Sequence, residues 1–273
     1  MNSPRPSIGV FDSGFGGLTV LKELVALSPN ADYLYFGDTA RLPYGSKSVE
    51  TVARYAVEAT HFLESRGANL LVIACNTATA LALDQITAAT HVPVVGVVEP
   101  GAEQAASASQ NHRVVVIGTE ATVSSHAYLR ALEQRGVQAR EKACPLFVPL
   151  VEEGWVNHPV TEQVAQIYLK EAFADGFHDA DVLVLGCTHY PLIKPLLRRV
   201  APPHVNIVDS AHSTANVIAQ RIQALPGHRE QNQPAVPTGL RFFATDSVEK
   251  FRRLGPRFLG HPVEAVERVD LKE

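Results

Sequence analysis

Two of the three cysteines in this 273-residue chain sit in matching surroundings. Asn69-Leu70-Leu71-Val72-Ile73-Ala74-Cys75-Asn76-Thr77 can be laid on Asp181-Val182-Leu183-Val184-Leu185-Gly186-Cys187-Thr188-His189. Each segment is a polar residue, four apolar residues, a small residue, a cysteine and two polar residues. Each is a buried strand whose functional end carries a thiol, and two related α/β halves would explain the repetition. A thiol between a strand and a helix lies at the positive end of the helix dipole, near unpaired backbone N–H groups. That setting is expected to lower its pKa and favour thiolate. Asn76 or Thr77 is the expected cap of the helix after Cys75. Thr188 can cap the second helix, with Pro191 in its first turn. Two such groups can give and take protons. The third cysteine, in Ala143-Cys144-Pro145-Leu146, has no polar group beside it and is read as a small buried hydrophobe.

Other strand ends carry chemistry as well. Asp12-Ser13-Gly14-Phe15-Gly16-Gly17 places an acid before a glycine turn. The Gly-x-Gly-Gly spacing is not the dinucleotide fingerprint, no Gly-Lys-Ser/Thr follows, and an aspartate there would repel a phosphate. Asp12 suits an ammonium group or a nearby thiol instead, while glycine N–H groups and helix N-termini suit a small carboxylate. Gly37-Asp38-Thr39-Ala40-Arg41-Leu42-Pro43-Tyr44-Gly45 is a polar loop in which Gly45 permits close approach and Tyr44 brings a hydroxyl. Asp38 and Arg41 could simply pair, and Pro-Tyr-Gly is also plain turn chemistry. His189 could polarise Cys187 or hold substrate. Of Glu152 and Glu153, one could support His189 while the other faces water. Thr119 ends a strand of the second half near where Asp12 ends one in the first, and could donate to a carboxylate.

The elements that must position these residues follow from apolar patterning. Strands are expected at Ile8–Phe11, Tyr33–Phe36, Leu70–Ala74, Val92–Val98, Val114–Ile117, Val182–Leu185 and Arg241–Ala244. Helices are expected at Leu18–Leu27, Val49–Ser65, Thr77–Ala88, Ser124–Arg135, Ile193–Val200 and Ser247–Leu254, the last capped through Asp246-Ser247-Val248-Glu249. Strands apolar at every position and followed by helices indicate parallel sheets covered on both faces, with ligands beyond the carboxyl ends of the strands. Pro226–Gly239 has almost no apolar periodicity and is expected to be a loop.

Composition narrows the class. The chain is 46 % hydrophobic and 19 % charged, with 24 basic and 28 acidic residues and a net charge of −4. No Lys/Arg block or basic stripe appears, so nucleic acid is not an expected partner. Apolar runs are too short to span a bilayer, and Arg5 near the N-terminus has no apolar stretch behind it. The expectation is a cytoplasmic protein with no membrane partner. An odd cysteine count argues for free thiols. The absence of a Cys-x-x-Cys pair argues against zinc, so no metal is expected.

Taken in order, several segments resemble the glutamate racemases of bacterial cell-wall synthesis. They are Gly9–Gly14 with Gly16–Val20, Tyr35–Arg41 with Pro43–Gly45, Ala74–Ala80, Pro149–Glu152, Leu185–Pro191 and Val208–Ala211. The likeness spans nearly the whole chain. It implies two pseudo-symmetric α/β domains, residues 1–97 plus 210–273 and residues 98–209, with mostly parallel sheets flanked by helices and the active site in the cleft between them. It implies cofactor-independent interconversion of L- and D-glutamate, without pyridoxal phosphate or metal, supplying D-glutamate for peptidoglycan. Cys75 would serve D-glutamate and Cys187 L-glutamate, with Asp12 and His189 assisting their respective thiols. Asp12, Ser13, Tyr44, Gly45, Asn76, Thr77, Thr188 and His189 would hold the substrate. A homodimer is the oligomer the resemblance suggests. Rival readings are a racemase for aspartate or another acidic amino acid, and an arylmalonate-decarboxylase-like or maleate-isomerase-like enzyme. A non-catalytic two-lobed small-ligand-binding protein is the rival from another class.

Overall fold

The computed structural model describes residues 5–224 and 239–271. The connection expected over Pro226–Gly239 therefore falls outside the described residues except for Gly239. The first run of elements is β1 (Ser7–Asp12), α1 (Leu18–Leu27), β2 (Asp32–Gly37), α2 (Val49–Ser65), β3 (Leu70–Ile73), α3 (Asn76–Ala89), β4 (Val94–Gly96) and α4 (Val98–Ala108). The second run is β5 (Arg113–Gly118), α5 (Glu120–Ser124), α6 (Ala127–Glu133), β6 (Gln138–Ala143), α7 (Phe147–Glu152), α8 (Pro159–Ala172), β7 (Val182–Gly186), α9 (Lys194–Val200), β8 (Asn206–Asp209) and α10 (Ser210–Gln223). The chain then adds β9 (Leu240–Ala244), α11 (Val248–Leu259) and β10 (Val266–Arg268).

The strands form two parallel sheets, ordered β10-β9-β2-β1-β3-β4 and β6-β5-β7-β8. The four-strand order 2-1-3-4 of the first sheet recurs in the second as 6-5-7-8, so the cysteine repeat reflects a repeat of topology. In both sheets the central pair, β1–β3 or β5–β7, is where the winding reverses direction. A crevice opens at the carboxyl ends of strands there. β3 and β7 are buried at every position because helices cover both faces, which is why they read as unbroken apolar runs. α2 shows the complementary helical pattern. Val52, Ala56, Ala59 and Leu63 make its buried stripe, and the Ser48 side chain accepts from the Thr51 N–H to cap it.

Several expectations are corrected. The strand expected over Val92–Val98 is only Val94–Gly96, because Val98 already opens α4. Of the helix expected over Ser124–Arg135, α6 covers only Ala127–Glu133, while α5 ends at Ser124. His126 adopts a left-handed conformation (φ 54°) that interrupts the ladder. The last helix runs past Leu254 to Leu259, through Pro256, and Ser247 makes no side-chain cap. β6 carried no apolar signal because it is an edge strand. Its Glu141, Arg140 and Lys142 side chains are taken up by His126, Asp175 and Glu171. Among the described residues, no helix is long and apolar enough to cross a membrane.

Candidate active site

Asp12 is the last residue of β1 and is fully buried. Its Oδ2 accepts the Gly14 N–H at 2.8 Å, and its Oδ1 lies 3.5 Å from the Thr188 hydroxyl. Burial pushes the Asp12 carboxyl above its usual range, against the opposing charge of His189 and hydrogen bonds from Gly14, Gly17 and Thr188. On the neighbouring strand end Cys75 is itself the cap of α3. The Ala78 N–H donates to its Sγ at 3.4 Å, and the thiol donates to Ser13 Oγ at 3.6 Å. This replaces the expected cap at Asn76 or Thr77. It also corrects the expected thiolate. Burial pushes the Cys75 thiol up to about 12, the Asp12 charge pushes the same way, and hydrogen bonds from Ala78 and Ser13 do not offset them. The helix terminus is where the sequence put it, but the loss of water outweighs it.

On the second sheet Cys187 directly follows β7, and Tyr190–Ile193 forms a single 3-10 turn before α9. Pro191 stands in the first positions of that turn, as expected, but Thr188 does not cap it; its hydroxyl turns to Asp12 instead. Its backbone carbonyl accepts from Thr19 Oγ1 of α1 at 3.1 Å. His189 Nε2 meets Glu152 Oε1 at 3.2 Å, which leaves Nδ1 for its hydrogen bond with Cys187. Burial pulls the imidazolium down, but the hydrogen bonds and charges of Cys187 and Glu152 prevail and raise it to about 10. Burial would lift the Glu152 carboxyl; hydrogen bonds from His189 and Lys250, with their charges, bring it to about 2 instead. Glu153 is exposed, so the two glutamates divide as expected.

The glycine turn allows these halves to meet. A Cβ on Gly16 would stand 2.1 Å from Thr188 Oγ1 and 2.5 Å from His189 Nδ1. One on Gly17 would stand 2.5 Å from the Asp12 Cβ. Two glycines are needed for contact, and neither has a positive φ.

One cavity of about 350 Å³ gathers most of the candidates: Ser13, Tyr44, Gly45, Cys75, Asn76, Thr77, Thr119, Glu152, Cys187, Thr188 and His189. Asp12 is not among its lining residues; it lies behind the wall, against the Gly14 N–H and the Thr188 hydroxyl. Tyr44 lines the cavity, but its hydroxyl donates to Asp38 Oδ2. Asp38 also receives Arg41 Nε at 2.8 Å, so the Asp38–Arg41 pairing holds and Asp38 supports the loop from behind. Asn76 is 2 % exposed; its Oδ1 accepts from Tyr128 at 2.7 Å, while its Nδ2 has no hydrogen-bond partner among the described residues. A buried amide donor left open beside a cavity is suited to a ligand oxygen. Thr77, Thr119 and Thr122 join their hydroxyls at 2.9 to 3.3 Å.

Register refines the pairing of the halves. Phe11 pairs with Ile73 in the first sheet and Gly118 with Gly186 in the second. Counting onward, Ser13 stands beside Cys75 and Thr119 beside Cys187. Thr119 is thus the counterpart of Ser13, not of Asp12, and His189 is the counterpart of Thr77. Sequence reasoning missed Thr122 and the apolar wall of Pro145, Val148 and Pro149. It also missed Lys250, whose Nζ reaches Glu152 Oε2 at 2.8 Å. Nothing local marks these residues, since each gains its role from a partner distant in the chain. Cys144 is buried and does not line the cavity.

The Asp/Glu/Hydantoin racemase family model matches residues 8–218. A glutamate racemase of Koribacter versatilis is 62 % identical, the match covering 99 % of this chain and 99 % of that protein. The crystal structure of the Thermus thermophilus glutamate racemase in complex with beta-chloro-D-alanine superposes with a TM-score of 0.86 at 44 % identity, over 99 % of both chains. That of the Francisella tularensis enzyme in complex with D-glutamate gives 0.88 at 35 % identity, over 98 % of both. With the family model, the full-length identity and the two-sheet fold in agreement, the chain belongs to the glutamate racemases of the Asp/Glu/Hydantoin racemase family.

Proposed function

We propose that this protein racemises glutamate by a two-base mechanism in which Cys187 and Cys75 act on opposite faces of Cα. The observation that carries the reading is that both thiols line one cavity, each just beyond the equivalent strand of two topologically repeated sheets. Inverting a stereocentre needs a proton removed on one face and delivered on the other, so two positioned groups are the minimum apparatus.

From L-glutamate, the Cys187 thiolate takes the Cα proton, breaking C–H and forming S–H. The electron pair spreads into the α-carboxylate. The Cys75 thiol then gives its proton to the opposite face and is left as thiolate. From D-glutamate the roles reverse. The protonation preferences support this asymmetry. Cys75 is held as a thiol by burial and Asp12, and Cys187 is hydrogen-bonded to an imidazole that Cys187 and Glu152 together hold in its charged form. The developing negative charge needs donors fixed in place before reaction. Asn76 Nδ2 is an open donor, and Ser13, Thr77, Thr119 and Thr188 supply hydroxyls at the cavity wall. Among the lining residues there is no lysine or arginine, so carboxylate recognition falls to neutral donors and His189.

The reading extends to residues 1–97 plus 210–273 and residues 98–209 as two domains, the first completed when β9 joins β2. It also extends to a cytoplasmic homodimer that supplies D-glutamate for peptidoglycan. The test is loss of optical rotation from L-glutamate with purified, reduced protein, repeated in D₂O. Racemisation with deuterium entering the product Cα is expected. Faster turnover of aspartate than glutamate would move the substrate assignment, and no turnover of either would overturn the reading.

A further inference from the structure

We infer that Lys250, on α11, is a positioning residue for the acid–base group of the Cys187 half, acting through Glu152. The inference rests on the racemase reading only in what the kinetics would report; the contact itself does not depend on it. Glu152 ends α7 and divides its carboxylate between two cations. Oε1 meets His189 Nε2 at 3.2 Å, and Oε2 meets Lys250 Nζ at 2.8 Å. The two halves of the molecule are joined by this arrangement, because α11 lies between β9 and β10 of the first sheet, whereas Glu152 and His189 flank the second.

Lys250 is not a loose surface charge. Its ammonium also stands 5.3 Å above the Phe15 ring, which lines the cavity. The Glu152 side chain is only 15 % exposed. α11 grips the same corner twice more. Phe258 packs edge-on against the His189 ring at 5.1 Å, and Arg257 Nη1 reaches the Glu152 carbonyl at 3.5 Å. With one oxygen held by Lys250 and the other by Nε2, swinging the carboxylate plane away would break one of the two contacts, which favours the orientation seen. That keeps Nδ1 on the Cys187 side, where the proton chemistry takes place. Lys250 also neutralises part of the Glu152 charge, which limits how firmly His189 holds its proton. The charged and titratable groups facing His189 are Glu152, Cys187 and Asp12; those facing the Glu152 carboxylate are His189 and Lys250.

The test compares Lys250→Met and Lys250→Arg with the wild-type protein. Two readouts are used: glutamate racemisation against pH, and titration of the labelled His189 imidazole by NMR without substrate. Because L- and D-glutamate are equal in energy, kcat/KM must be the same in both directions, so kcat and KM are followed separately. Lys250→Met is expected to lower kcat about tenfold with KM changed less than about twofold. Loss of a neighbouring cation should raise the His189 titration point and move the alkaline limb of the rate profile upward with it. Lys250→Arg, which keeps the charge, should restore most of both. Wild-type kcat together with an unmoved His189 titration in folded Lys250→Met would overturn the inference, and so would a fall in kcat without a shift. Lys250→Gln, with a shorter polar side chain, serves the same comparison should the methionine variant not fold. A wild-type protein that does not racemise glutamate would sink the function proposed above, while the NMR titration would still decide the role of Lys250.

Discussion

The Thr188 hydroxyl lies 3.5 Å from Asp12 Oδ1, so the residue that follows one candidate base is bonded to the carboxylate beneath the other. The charge of His189 also reaches Asp12. The two thiols therefore do not have independent partners; they share a buried polar seam. Asp12→Asn tests it. Asparagine presents one acceptor in place of two, so the Gly14 and Gly17 N–H groups must share a single oxygen and the Thr188 hydroxyl must turn to accept from the new amide, which is expected to shift the Cys187 turn. A rate loss of about 10- to 100-fold is expected from such misplacement. Removing the negative charge should also lower the Cys75 titration point from about 12, since Asp12 contributes to its elevation. The ¹³Cβ shift of labelled cysteine followed against pH reads this directly. An unmoved titration would mean that the Asp12 charge does not reach the thiol.

Each cysteine should be indispensable to inversion and dispensable to binding. Cys75→Ala and Cys187→Ala are each expected to lower racemisation by about 10²–10⁴-fold, the usual contribution of a positioned acid or base. Calorimetric affinity for glutamate should change little. Cys144→Ala, which removes a buried thiol outside the cavity, should leave kcat near its wild-type value. Wild-type racemisation by both single variants of the cavity cysteines would rule out the two-base scheme.

Gly16 tolerates no side chain without displacement of Thr188 and His189. The added methyl of Gly16→Ala would press on Thr188 Oγ1 and His189 Nδ1. Overpacking of this kind costs about 1–3 kcal/mol. A lower urea midpoint and a kcat reduced out of proportion to KM are expected, and both are measurable on one preparation. An alanine variant with wild-type kcat would show that the turn can move away from His189 at no cost to catalysis.

His189, charged between Cys187 and Glu152, and Glu152, held between His189 and Lys250, should give stability a defined pH window. His189 is raised from 6.5 to about 10, so its contribution is full below 6.5 and is lost as pH rises through about 10. Glu152 is lowered from 4.5 to about 2, so its contribution is full above 4.5 and is lost as pH falls through about 2. Both are complete between about pH 4.5 and 6.5. The difference in urea midpoint between wild type and His189→Gln should be largest there and should narrow toward pH 10. A difference that widens with rising pH would contradict the charged state assigned to His189.

Much of this site is legible in the sequence. Cys75 and Cys187 were marked by the strand–thiol–polar pattern, because a strand buried on both faces must be apolar throughout and the first polar residue after it is already at the ligand edge. The glycine turn, the Tyr44–Gly45 loop and Asn76–Thr77 followed by the same logic, and the structure gathers them around one cavity. The sequence offers Glu152 and Glu153 equally as the support for His189, and only the structure selects Glu152. β6 was illegible because an edge strand carries charged side chains that imitate a loop. The cap of α3 was misassigned because sequence rules favour hydroxyl and amide caps, while here the sulfur of Cys75 accepts the bond.

The sequence by itself determined the parallel α/β class, the duplication and the identity of the two thiols, since these depend on local patterning and on residue types at strand ends. Tertiary structure alone decided how those groups are tuned. It buried Cys75 deeply enough to hold a thiol against the pull of its helix, placed Asp12 below the cavity, and brought Glu152 to His189 from 37 residues away and Lys250 to Glu152 from 98 residues away in the chain. The reason is physical: proton affinity depends on water exclusion and on charges within a few ångströms, and neither is a property of neighbours in sequence.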